Sequence, residues 1–157
     1  GNDTTIPKGT TILLSATPNG SVSFQWSTGE NTNNIIVSPT QTTSYYVTVT
    51  DSYGCIAIDS AEITVTENHI SVPTVFTPNG NGKNDFIQVH GLGIKEFTLI
   101  IYDRLGEKIF ETSDMAASWD GTFKGKVLNS AVFVYMLKAT FTDGKDFIEK
   151  GNITLVR

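Results

Sequence analysis

The sequence predicts an all-β chain built as two consecutive β-sandwiches. Three observations predict it. Apolar and polar residues alternate over short runs, as in Val22-Ser-Phe-Gln-Trp26 and Tyr45-Tyr-Val-Thr-Val-Thr50, which is the period of a half-buried strand. Turn-forming Gly, Asn, Asp and Pro separate those runs every ~8–12 residues, the spacing of sandwich strands. Charged residues make up 17% of the 157 residues, below the ~25% of ordinary soluble domains. Thr, Ser and Asn fill the gap, and Thr suits a half-solvated pleated surface.

The elements follow in order. A short edge strand near Thr4 is broken by Pro7 and Gly9, and a buried strand runs through Ile12–Ala16. Thr17-Pro-Asn-Gly20 turns, Val22–Trp26 is a strand with Trp26 as a core residue, and Ser27-Thr-Gly-Glu-Asn31 turns again. Ile35–Val37, Tyr45–Thr50 and Ile56–Val65 complete the first sandwich around the turn Asp51-Ser-Tyr-Gly54. Residues 67–73 read as a short linker, with His69 on its surface. The segment Val72–Phe86, dense in Pro, Gly and Asn, marks the boundary. Beyond it, Glu96–Asp103 and Ala131–Phe141 carry apolar residues on both faces, the pattern of central strands. Lys108–Thr112 returns from the turn at Arg104–Glu107, and Phe147–Arg157 returns from the Asp143-Gly144 turn.

The net charge of −5 lies wholly in the first half. Residues 1–70 hold one basic residue, Lys8, against six acidic ones, and the rest hold ten of each. No basic stripe exists to track phosphates, so nucleic acid is not an expected partner. No window approaches ~18 consecutive apolar residues. The absence of an initiator Met and of a charged-then-apolar start suggests a fragment or processed product. Cys55 is the single cysteine; it reads as a small buried hydrophobe and leaves no internal disulfide to form.

Two resemblances add to this reading. Pro7-Lys-Gly-Thr-Thr-Ile-Leu-Leu-Ser-Ala16, Phe24-Gln-Trp-Ser-Thr-Gly-Glu30 and Thr42-Thr-Ser-Tyr-Tyr-Val-Thr-Val-Thr-Asp-Ser-Tyr-Gly-Cys55 resemble the immunoglobulin-like, PKD-like repeats of large Bacteroidetes surface proteins. That resemblance assigns residues 1–67 as a stalk spacer. Such repeats often pair an early Cys with the one in the Gly-Cys turn; here Pro7 stands at the early position.

The second resemblance is carried by five blocks in order: Phe76-Thr-Pro-Asn-Gly-Asn-Gly-Lys-Asn-Asp-Phe86, Leu99–Phe110, Trp119-Asp-Gly-Thr-Phe-Lys-Gly-Lys126, Val132–Leu137 and Lys150-Gly-Asn-Ile-Thr-Leu-Val-Arg157. Residues 68–157 resemble the gliding-motility-associated C-terminal domain, the type B sorting domain of the Bacteroidetes type IX secretion system. The resemblance implies a pair of immunoglobulin-like sandwiches at the end of a SprB-like surface adhesin. It implies a non-catalytic export signal displayed at the cell surface and associated with the outer membrane. The implied partners are the translocon and a PorV-type shuttle or a PorP/SprF-type outer-membrane protein. It implies no small-molecule substrate and a monomeric chain, and it makes Arg157 a natural C-terminus.

Candidate sites are few. His69 and His90 have no motif-placed nucleophile and are too few for histidine-based metal ligation, so no catalytic residues are assigned. Asn79, Asn81 and Asp85 offer hard oxygen ligands on a Gly-kinked loop, the kind Ca²⁺ takes. The same side chains could instead cap turn amides, with Gly80 and Gly82 supplying positive φ. Family loops commonly carry Asp where this chain has Asn81, so no cofactor is expected beyond that Ca²⁺ option. A Ca²⁺-assisted adhesive sandwich is the rival function. Candidate recognition residues are Arg157, Gly151, Lys150, Asp120, Asn79 and Asp85. Arg157 leads because a terminal guanidinium and carboxylate are not required by the fold and suit recognition of a strand end.

Overall fold

The computed structural model describes residues 2–20 and 22–157, and every regular element among them is a strand. The chain divides into two compact units, Gly1–Glu67 and Asn68–Arg157.

The first unit contains β1 (Thr4–Pro7), β2 (Ile12–Ser15), β3 (Val22–Trp26), β4 (Asn34–Val37), β5 (Thr43–Asp51) and β6 (Ile56–Thr66). A four-stranded sheet has the order β1-β6-β5-β3, and β2 pairs with β4 as a second layer. β1 runs parallel to β6 and ends at Pro7, after which the chain turns, with the Thr10 N–H donating to the Pro7 carbonyl at 3.1 Å, and enters the other layer as β2. A strand ending at proline gives up no ladder bond beyond it. Leu14, Ile35 and Val37 from the two-stranded layer share one core with Ile6, Trp26, Tyr45, Val47 and Ile63. The period of two sorts neighbours cleanly: Tyr45 is buried and Tyr46 is 51% exposed. Trp26 takes its expected core place, and its Nε1–H donates to the Thr32 carbonyl at 2.8 Å. Cys55 differs from expectation, because it is exposed. It closes the hairpin turn, where its N–H and that of Tyr53 are held by the Asp51 carboxylate.

The second unit contains β7 (His69–Ser71), β8 (Val75–Phe76), β9 (Ile87–Gln88), β10 (His90–Leu92), β11 (Ile94–Tyr102), β12 (Lys108–Thr112), β13 (Ser118–Trp119), β14 (Thr122–Phe123), β15 (Lys126–Val127), β16 (Ala131–Phe141) and β17 (Asp146–Leu155). A five-stranded sheet has the order β12-β11-β16-β17-β8, antiparallel except that β8 joins β17 in parallel. Three short pairs, β7–β10, β9–β13 and β14–β15, complete the unit. Ile70, Ile87 and Trp119 from the short pairs share a core with Leu99, Ile101, Leu137, Ile153 and Leu155 from the sheet.

One expectation is corrected by the strand pairing. The segment read as a linker is largely part of the second unit, because His69–Ser71 pair with β10 and Ile70 and Val72 are buried. Three residues are too short for a visible period, which is why the sequence hides this strand. The two long strands are central in the sheet, as expected, and β16 buries one face alone. Phe133, Tyr135 and Leu137 point into the core, whereas Val132 and Val134 are exposed, at 54% and 46%. Apolar residues on both faces thus mark a central place in the sheet rather than cover on both sides.

Candidate functional site

The loop between β8 and β9 is organised by one carboxylate. Asp85 is the buried charged residue among the described ones. Its Oδ1 accepts the N–H groups of Asn79 (2.9 Å) and Gly80 (2.8 Å), and its Oδ2 accepts that of Gly82 (2.7 Å). The Gly80 N–H is the main cause holding its pKa below the usual carboxylate range, against the opposing pull of burial. Two further turns run along the same loop, with Asn79 Oδ1 accepting the Asn81 N–H and Asn81 Oδ1 the Lys83 N–H. Gly80 and Gly82 have φ of 76° and 80°, and Asn84 joins them at 53°. The three side chains proposed as Ca²⁺ ligands thus turn their oxygens onto backbone amides. Among the described residues no group of three His, Cys, Asp or Glu stands close enough to hold a metal ion.

A second loop packs beside the first. Trp119 is buried between Phe76 and Phe133, with ring centroids 5.2 Å and 5.0 Å away, the second edge-on. Its Nε1–H donates to the Thr122 carbonyl at 2.9 Å, so no polar atom of the ring is stranded. Asp120 Oδ1 accepts both the hydroxyl and the N–H of Thr122, at 2.7 and 2.9 Å. Its pKa is lowered chiefly by that hydroxyl, with smaller pulls from backbone N–H groups and the Arg157 guanidinium.

Arg157 draws these loops together. Its backbone N–H donates to Ser130 Oγ at 2.9 Å, its Nε–H to the Leu128 carbonyl at 2.7 Å and its Nη1–H to the Pro78 carbonyl at 3.3 Å. One residue earlier, the Val156 N–H donates to the Phe76 carbonyl at 3.1 Å. Gly121 makes room for the clasp. A Cβ there would sit 3.2 Å from Arg157 Nη2 and 3.3 Å from Leu155 and Phe76 side-chain atoms, and its φ of +79° disfavours any other residue. The arginine read as dispensable to the fold is therefore a latch that remains exposed. Pro78, Leu128 and Ser130 went unnoticed in the sequence because a carbonyl acceptor has no residue signature.

The other candidates lie elsewhere. Lys150 pairs with Met136 and Gly151 with Tyr135, in the middle of β17, roughly 20 Å along an extended strand from Arg157. Gly151 is set by packing: a Cβ there would lie 2.7 Å from Tyr135 Cε1 and 2.9 Å from its hydroxyl. The Tyr135 ring lies across the glycine, and its hydroxyl donates to Glu149 Oε1. Burial, then that bond, push the Tyr135 pKa up to about 12. So Asn79, Asn81, Asp85, Asp120 and Arg157 belong to one end of the second unit, and Lys150 and Gly151 to its sheet.

The family model described as the CHU_C type IX secretion signal domain matches residues 70–155, more than half of the chain. The chain belongs to this family. A type IX secretion signal domain directs its carrier to that secretion machinery for export to the cell surface. The match stops short of Val156 and Arg157, so the latch residue stands just outside it. No curated relative matches the sequence. The chain is similar to solved structures at low identity. Dimeric latent PorU from Porphyromonas gingivalis is 12% identical with a TM-score of 0.35, over 88% of this chain and 17% of that one. The two immunoglobulin domains of DIP-gamma are 10% identical with a TM-score of 0.34, over 99% and 93%. A tetra-tandem repeat from a large adhesion protein is 16% identical with a TM-score of 0.34, over 96% and 48%. This chain thus spans a small part of the PorU chain's length.

Proposed function

We propose that residues 68–157 are a non-catalytic export label, read by the type IX machinery in folded form at the Arg157 end. The observation that carries this reading is the convergence of family blocks there. The Phe76 loop, the Trp119-Asp120-Gly121 turn and the terminal strand meet around one clasp. A receptor touching that end reads three separated segments at once, so only the folded unit presents the full signal. The recognition residues are Arg157 and Asp120, with Asn79 and Asp85 shaping the loop beside them. Asp85 rather than Ca²⁺ holds that loop, because its charge already meets three backbone donors.

In this reading residues 1–67 are the last spacer of a surface adhesin's stalk, with gliding motility as the setting. Their acidity keeps the stalk soluble. The partner is a PorV-type shuttle or a PorP/SprF-type protein at the outer membrane. The test fuses the whole chain behind a soluble reporter, in cells with the type IX system and in the same cells lacking it. Surface reporter in the first and retention in the second is the expected result. Retention in both would overturn the reading. A Ca²⁺ titration is expected to leave the melting temperature unchanged; a rise would restore the metal-assisted alternative.

A further inference from the structure

The two edges of the five-stranded sheet are finished differently. β12 is short, meets β11 through a bulge at Ile101/Tyr102, and carries the Lys108–Glu111 ion pair. A bulge and a short edge strand are two ways native sheets blunt an edge. At the other side β8 covers only Thr154 and Leu155 of β17. The preceding residues of β17 pair with β16 in unbroken register and, among the described residues, have no strand on their other side.

The direction of the free groups follows from the ladder. The Thr154 N–H points away from β16, since it donates to the Thr74 carbonyl at 2.8 Å. Alternation along an antiparallel strand then aims the N–H and C=O groups of Asn152, Lys150 and Ile148 the same way. Ile148 is 64% exposed there, and no proline interrupts the run.

We infer that this edge of β17, from Ile148 to Asn152, takes an added strand from a protein of the secretion machinery, in line with β8. The inference rests on the export reading and adds a second contact to the one proposed at the Arg157 end. Backbone pairing supplies the contact, and alternate side chains supply selectivity. The incoming strand has a carboxylate opposite Lys150 and an apolar residue beside Ile148. Lys138, which pairs with Ile148 across β16, adds a second positive charge on the same face. A second copy of this chain fits poorly, because two-fold pairing would set these lysines against their images.

The test uses the whole chain fused to the reporter, with two variants. Lys150→Pro removes an outward N–H and no internal ladder bond. Ile148→Lys/Asn152→Lys keeps the backbone and adds repelling charges to the edge. Both are expected to melt within a few degrees of wild type while surface reporter falls about tenfold, the scale of one lost strand-addition contact. If Lys150→Pro does not fold, the double variant decides. Folded variants that reach the surface at the wild-type level would overturn the added strand while leaving the export reading intact. A wild-type fusion that stays inside overturns the export reading itself.

Discussion

The two units solve the same architectural problem with unequal means. The first closes its hairpins with ordinary turns, such as Asp51–Cys55, and carries nearly all of its charge as acid. The second buries a larger apolar core and then spends a carboxylate, an aromatic chain and its last residue on irregular loops. A stalk spacer, the role proposed for the first unit, needs only to fold and stay soluble. A surface that must be read needs its loops fixed, because each loose loop would have to be ordered on binding. In the proposed reading, the difference puts a recognition surface in the loops at the Arg157 end, which side-chain hydrogen bonds hold in place.

That contrast can be broken by substitution, starting with its largest element. Trp119→Ala removes the ring between Phe76 and Phe133 and is expected to cost the second unit about 3–5 kcal/mol, measured by urea denaturation. Next is Asp85→Ala, which leaves three loop amides without their acceptor and is expected to lower the melting temperature on the order of 10 °C. The pH dependence has a definite sign. Asp85 is harder to protonate folded than unfolded, so its stabilisation is full above about pH 4 and lost as pH falls through the folded value. Asp85→Asn should flatten that acid limb in a melting-temperature series.

A smaller effect belongs to the sheet. Gly151→Ala forces the Tyr135 ring off its strand and is expected to cost about 1–3 kcal/mol. Pairing it with Tyr135→Leu should recover part of that loss, since the two residues share one space. Tyr135 also sets an alkaline limit. Its pKa is raised to about 12, so its contribution is intact below the ordinary tyrosine value of about 10 and lost as pH climbs through the folded one. The smallest effect is at the latch: Arg157→Ala removes two exposed side-chain hydrogen bonds and should cost about 1 kcal/mol.

The fold was largely legible because strand period and turn chemistry are local. Tyr45 and Tyr46 differ by one step of the pleat and sort to opposite sides. Legibility failed where the deciding partner is distant or unmarked in sequence. His69–Ser71 becomes a strand only through β10. Val132 and Val134 look like core residues until the sheet is seen to lack a layer over them. The oxygen cluster at Asn79, Asn81 and Asp85 was visible, but its two uses differ only in where Asp85 points. The Arg157 clasp rests on carbonyls, which every residue has.

In the proposed reading, export depends on the Arg157 end of a folded second unit. The most direct measurement compares surface reporter and melting temperature for the wild-type fusion and Arg157→Ala. Export is expected to fall several-fold while the melting temperature drops by only about 5 °C. Undiminished surface export by the folded Arg157→Ala chain would contradict it.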